Sequence, residues 1–299
     1  MTSICLRDCT NCCFLPPLGQ LPFLKELEIS GFDGVVTVDS EFHSNDISVE
    51  RPFKSLEILR FEDMSEWKEW SLIGGNEDGG AFPRLKELHL RYCPKLTGDV
   101  PDYLPSLSIL RIWQCAQLKA LLPNPRAQQM DIAFPSLLTM EMRDCPEIES
   151  LPKGGLHQNL NTITISNCRS LVANRSQWDM QRFTSFRSLH ISDISEDALD
   201  SFPEEGLLPP TLSSLSISDI PNLTTLNSNG FRQLTSLEKL SISWCARLEC
   251  LPEEGLPVSL SHLWIYNCPL LKDRCEREKG EDWHKISHIA FVHVDWELV

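Results

Sequence analysis

Apolar and polar positions along this chain follow one recurring phrase. An apolar residue is followed by two variable ones, Leu or Ile, one variable, Ile or Leu, two variable, then Cys or another apolar residue. The phrase is clearest at Leu85–Cys93 (LKELHLRYC), Leu107–Cys115, Leu137–Cys145, Leu160–Cys168, Leu237–Cys245 and Leu260–Cys268. Looser copies occupy Met1–Cys9, Leu24–Phe32, Leu56–Met64, Phe186–Ile194 and Leu212–Ile220, making eleven in steps of 22 to 32 residues. Alternate side chains of a strand point to opposite faces. Leu110 and Ile112 therefore point inward and stack on their counterparts in the next copy, while the residues around them face solvent. No copy can bury its apolar face alone, so stability is a sum over neighbours.

This phrase, at a period near ~20–29 residues, is that of a leucine-rich repeat. The expected fold is an α/β repeat solenoid: a horseshoe of about eleven repeats with a parallel β-sheet on its concave face. The segments between strands lack a helical period and carry Pro16-Pro17, Pro123, Pro125, Pro209-Pro210, Pro252 and Pro257. Proline disfavours helix interiors, so the convex side should be mostly loop and 3-10 turns. The phrases LPKGGL (151–156), FPEEGL (202–207) and LPEEGL (251–256) predict one shared turn, with Gly155, Gly206 and Gly255 supplying backbone freedom. The repeats span 1–269. Residues 270–299 leave the phrase and are expected to cap the stack, with Ile289, Phe291, Val294 and Trp296 covering the last core. Met1 fills a first apolar slot with no polar cap before it. A bare N-terminal edge is therefore expected, covered by an upstream domain or partner, or self-associating when the chain is isolated.

The formal net charge of −15 opposes a nucleic-acid role, which calls for a basic patch. No apolar run approaches the ~18 residues of a membrane span, and no secretory leader opens the chain. Seven of the twelve cysteines hold the closing position of the phrase, where a thiol serves as a small apolar filler. That usage suits a reducing, cytoplasmic compartment rather than a disulfide framework. Cys5, Cys9, Cys12 and Cys13 lack the paired spacing of a zinc site. His284, His288 and His293 read as capping residues, and Glu66, Glu69, Glu77 and Asp78 as a solvated insertion. No phosphate-binding loop, H-E-x-x-H or G-x-S-x-G occurs, so the expectation is a non-enzyme without cofactor or metal.

Strand register points to two exposed patches. His89, Arg91, Tyr92, Arg111, Trp113 and Arg143 form a basic and aromatic island in the middle repeats. Trp244, His262, Trp264 and Tyr266 gather in the last two, beyond a plain stretch of Ser and Thr. Exposed Trp, Tyr and Arg are the residue types that dominate interface hot spots. The blander reading is that solenoid sheets simply tolerate cross-strand aromatic pairs.

Several longer phrases resemble the leucine-rich-repeat region of plant disease-resistance proteins of the coiled-coil, nucleotide-binding type. They are PPLGQLPFLKELEISGFDGV (16–35), PFKSLEILRFEDMSEWKEW (52–70), FPRLKELHLRYCPKLTGDVPDYLPSL (82–107) and CPLLKDRCEREKGEDWHKISHI (268–289). The resemblance implies pathogen sensing in innate immunity. The partners it implies are a pathogen effector, a host protein that an effector alters, and an upstream nucleotide-binding domain held off by the repeats. The chain carries no nucleotide-binding motif, so ATP or ADP binding is not implied, and His284 stands where the family carries Pro. The alternatives are a leucine-rich-repeat adaptor or substrate receptor of another pathway, which needs an F-box-like helical region, and an extracellular inhibitor. The latter would use the sequons at Asn174 and Asn222 and need a secretion signal.

Overall fold

A computed structural model describes residues 2–43, 52–71, 81–98, 100–101, 103–121, 133–152, 156, 158–194, 199–295 and 297–298. Met1, Glu77, Asp78, Pro123, Pro125, Gly155 and Trp296 lie outside them. The chain divides into two units, 1–160 and 161–299.

In the first unit the phrase becomes five-residue strands: β1 (Ser3–Arg7), β2 (Glu26–Ser30), β4 (Ile58–Glu62), β6 (Glu87–Arg91), β7 (Ile109–Trp113) and β8 (Thr139–Arg143). Each pairs parallel with the next, residue for residue, so Cys5, Glu28, Arg60, His89, Arg111 and Glu141 form one row. Two-residue strands β3 (Thr37–Val38) and β5 (Glu69–Trp70) pair apart from the ladder, and helix α1 (Ser40–His43) follows β3. The second unit repeats the plan with β9 (Thr162–Ser166), β10 (Ser188–Ser192), β12 (Ser214–Ser218), β14 (Lys239–Ser243), β15 (His262–Tyr266) and β16 (Phe291–Val294). All pair parallel, and β17 (Glu297–Leu298) returns antiparallel on β16. A small pair, β11 (Ser201–Phe202) with β13 (Thr225–Leu226), lies apart. The helices α2 (Arg169–Ala173), α3 (Ser228–Arg232), α4 (Pro269–Arg274) and α5 (Trp283–Ile286) have at most six residues, with 3-10 turns beside them. This is a leucine-rich-repeat solenoid with a loop-rich side away from the sheet.

The inward positions are sealed: Leu59, Phe61, Leu88, Leu90, Leu110, Ile112, Met140 and Met142 have no exposed surface. Burying each such side chain contributes about 1.5–3 kcal/mol. The closing cysteines explain themselves in the same terms. Cys93, Cys115, Cys145, Cys168, Cys245 and Cys268 are all buried. Each thiol donates to the carbonyl two residues back, at 3.2–3.6 Å. A methyl group would fill the space yet lose that added contact to the carbonyl.

Just beyond every ladder strand lies one residue with positive φ: Asp8, Gly31, Asp63, Tyr92, Gln114, Asp144, Asn167, Asp193, Asp219, Trp244, Asn267 and Asp295. This left-handed step turns the chain off the sheet while its N–H still reaches the next strand. Tyr92 N donates to Trp113 O and Trp244 N to Tyr266 O, both at 2.9 Å. Gly, Asp and Asn tolerate the step; bulky side chains rarely do. Nine of the twelve residues named are of the tolerant kind, which makes Tyr92, Gln114 and Trp244 the departures. Gly206 and Gly255 also take positive φ, in the two turns of the shared phrase that are described in full.

The C-terminal segment carries a twelfth copy of the phrase. Ile289, Val292 and Val294 occupy its inward slots and are buried. Ile289 and Val294 thus lie on the inward side, whereas Phe291 points outward, 47% exposed, because it stands one place before the inward Val292.

Candidate protein-binding face

The outward residues of β6, β7 and β8 build the middle patch. Arg91, Trp113 and Arg143 are register partners in one row. Trp113 lies between two guanidiniums, Arg91 with its Cζ 4.1 Å from the ring centroid and Arg143 at 5.3 Å. Cation–π contacts of this kind contribute about 0.5–1 kcal/mol at exposed sites, more when desolvated. Arg111 is held by carboxylates on both sides, its Nε 3.2 Å from Glu141 Oε2 and its Nη1 3.6 Å from Glu87 Oε2. Arg143 Nε reaches Glu141 Oε1 at 2.6 Å. The sequence-based picture of a basic island thus needs amending, because Glu87 and Glu141 answer the charges of Arg111 and Arg143.

His89 also differs from its expected place on an open column. It is only 3% exposed, with Nε2 3.0 Å from Glu87 Oε2 and 3.2 Å from Arg111 Nη1. Glu87 on its own strand and Arg111 on the next lie against it. Burial holds its pKa below the ordinary histidine value; Glu87 opposes this, and Arg111, Arg60 and Arg91 reinforce it. A neutral, covered His89 supports the patch from beneath. Tyr92 is well exposed at the strand exit.

In the second unit, His262 and Trp264 on β15 stand beside Phe291 and His293 on β16. The rings stack: His262 on Phe291 with centroids 4.8 Å apart, His262 on Trp264 at 5.4 Å, and Trp264 on His293 at 6.4 Å. The interplanar angles of 14–21° make this one continuous platform. Ser261 Oγ lies 2.9 Å from His262 Nδ1 and fixes that ring. Tyr266 continues the row on β15, and Trp244, 59% exposed, stands at the exit of β14. The sequence reading names Trp244, His262, Trp264 and Tyr266 but misses Phe291 and His293. The signal was present: Ile289-x-x-Val292-x-Val294 repeats the inward spacing and places both residues on the outward face.

The stretch between, expected to be plain, holds an acidic pair. Asp193 and Asp219 occupy successive strand exits and share a hydrogen bond. Burial and Asp193 push Asp219 above the usual carboxylate range. Burial works on Asp193 too, but hydrogen bonds from Ser166 Oγ (2.5 Å), Ser192 Oγ (3.1 Å) and Asp219 bring it below that range.

Among the described residues no cluster of three or more His, Cys, Asp or Glu could hold a metal ion, and no helix is long and apolar enough to cross a membrane. Cys5 and Cys13 are exposed and Cys9 and Cys12 half-buried, and none is in a disulfide.

No family model matches the chain. Individual relatives do. The chain is 34% identical over 213 residues to disease resistance RPP13-like protein 1 of Arabidopsis thaliana, covering 69% of this chain and 19% of that one. A second Arabidopsis thaliana disease-resistance protein is 36% identical over 248 residues, 82% of this chain and 17% of the relative. Disease resistance protein RGA4 of Solanum bulbocastanum is 30% identical over 308 residues, 98% of this chain and 26% of the relative. The chain therefore spans between 17% and 26% of the length of these relatives. Ladder and kinship together place it with the leucine-rich-repeat regions of plant disease-resistance proteins.

Proposed function

We propose that the chain is a non-enzymatic protein-recognition module of plant innate immunity, and that it grips its partner with the outward face of the ladder. The aromatic platform of Phe291, His262, Trp264 and His293, continued by Tyr266 and Trp244, is the observation that carries this reading. Flat rings supply large contact area at low entropic cost and concentrate binding energy at interfaces. The ladder positions the His262 and Trp264 backbones between β14 and β16. Residues 1–269 form the recognising body and 270–299 close it, while themselves lending two rings to the platform. The partner class is protein: a pathogen effector, a host protein altered by one, or the rest of the same receptor. The compartment is the cytoplasm, which suits twelve unpaired thiols.

The test replaces Trp264 by Ala and by Ser in the resistance protein that carries this chain, and reads the pathogen-triggered cell-death response in leaf tissue. Loss of the response is expected, with the melting temperature of the isolated chain moved by no more than a few degrees. A normal response from both variants would remove the platform from recognition.

A further inference from the structure

We propose that Arg91, laid flat on Trp113, receives an anion: it takes a carboxylate from an acidic, extended segment of a protein partner. The inference rests on reading the outward face as a recognition surface and names the chemistry of one point on it.

Arg91 stands between two register partners, Glu62 on β4 and Trp113 on β7. An arginine beside a glutamate would be expected to pair with it. Here the guanidinium lies instead over the indole at 4.1 Å, and no carboxylate is within ion-pair distance of it among the described residues. Its neighbours differ: Arg111 and Arg143 are both answered by Glu141. Stacking uses the π face of the guanidinium and leaves its terminal Nη N–H groups without a carboxylate, the edge that can engage one in a two-pronged bond. The ring beneath also excludes water, which strengthens a charged hydrogen bond formed above it.

Two further observations point the same way. Arg91 Nε and Trp113 Nε1 are both covered and have no acceptor. Both are donors, and an acceptor-rich ligand is their complement. On the adjacent strand, Arg60 is a second guanidinium with no carboxylate at ion-pair distance among the described residues; it stands opposite His89, two places before Glu62. Tyr92, next in the chain, stands exposed at the strand exit and offers an apolar wall beside the charge. The chain as a whole, at −15, repels anions. Capture of a polyanion would therefore report local geometry rather than bulk attraction.

The test is fluorescence anisotropy of fluorescein-labelled hexaglutamate titrated with the intact chain at low salt, with hexalysine and a single-stranded oligothymidine as comparison probes. Hexaglutamate should bind, and added salt should weaken it. Arg91→Gln should weaken it about tenfold or more, as befits a charge-assisted hydrogen-bonded pair. Arg91→Lys should also weaken it, since an ammonium offers no fork. Arg277→Gln, an exposed arginine outside the patch, should change it less than about twofold. Unchanged melting curves exclude a folding defect. Absent hexaglutamate binding, binding that survives Arg91→Gln, or preference for oligothymidine would each overturn the proposal. Failure here alongside a lost response in the Trp264 variants would leave the recognition reading intact and remove only the anion point; failure of the Trp264 test alone would do the reverse.

Discussion

Asp282 Oδ2 accepts the backbone N–H of Leu251 at 2.8 Å, across 31 residues of chain. The same carboxylate, 1% exposed, receives Arg274 at 3.1 Å and Lys285 at 2.9 Å through Oδ1. Lys285 in turn donates to Leu251 O at 3.0 Å. One buried carboxylate thus ties α4, α5 and the turn after β14 together. Burial alone would raise its pKa, but the hydrogen bonds from Arg274, Lys285 and Leu251 outweigh it and hold it below the usual range. Asp282→Asn leaves a nearly buried Lys285 ammonium without its counter-charge. The expected cost is about 3–5 kcal/mol in urea unfolding at neutral pH. Hydrogen exchange at the Leu251 amide should accelerate with it; unchanged exchange would mean the tie is ornamental.

His43 makes stability depend on pH in the first unit. It is 1% exposed, packed against Phe42, Phe53 and Phe82, and neither ring nitrogen has a hydrogen-bond partner. Burial lowers its pKa to about 4, with Asp39 opposing weakly. The unfolded chain binds a proton near pH 6.5 and the folded one does not, so stability falls as pH drops from about 6.5 towards 4. The loss approaches roughly 3 kcal/mol at the lower end, at 1.36 kcal/mol per pH unit of difference. His43→Phe should flatten that limb of a stability–pH profile. A limb of the same slope in the variant would assign it to other groups.

The closing cysteines predict a reactivity pattern. Cys5 and Cys13 are exposed, Cys9, Cys12 and Cys250 half-buried, and the other seven buried. Burial, reinforced by the nearby Asp282 charge, pushes the Cys275 thiol up to about 12, far from thiolate at neutral pH. A disulfide-exchange reagent should therefore label two thiols fast and three more slowly. The remaining seven should react only after denaturant is added. Fast labelling of more than five would contradict the packed ladder.

The inward half of the fold was legible because its signal is periodic. Leu110, Ile112 and Cys115 are recognisable in sequence for the same reason that they pack: each copy must offer the same apolar set to the next. The outward half is set by pair choices that no period encodes. Whether Arg91 turns to Glu62 or to Trp113 is decided by side-chain conformations, and so is the cover that makes His89 neutral. Phe291 and His293 were misplaced for a simpler reason. Their copy of the phrase ends on Glu297 instead of an apolar residue, so the twelfth strand did not announce itself. The left-handed step was readable all along as Asp, Asn or Gly before the closing residue, and it matters most where it fails.

Those failures yield the last prediction. Trp244 has φ +58° and is 59% exposed, at a step where Asp, Asn or Gly stands in most other copies. Holding a bulky residue there costs on the order of 1–3 kcal/mol, and an exposed ring regains little of it by packing. Asn visits this conformation readily. Trp244→Asn should therefore stabilise the chain by about 1 kcal/mol in thermal or urea unfolding, while weakening recognition in the leaf response. The reverse change at an equivalent step, Asn267→Trp, should destabilise by a similar amount. Strain retained at an exposed aromatic, where a stabilising residue is one substitution away, is the expected mark of a position kept for contact with a partner. If Trp244→Asn instead lowers stability, the ring is held by packing within the fold, and its place on the binding face loses this support.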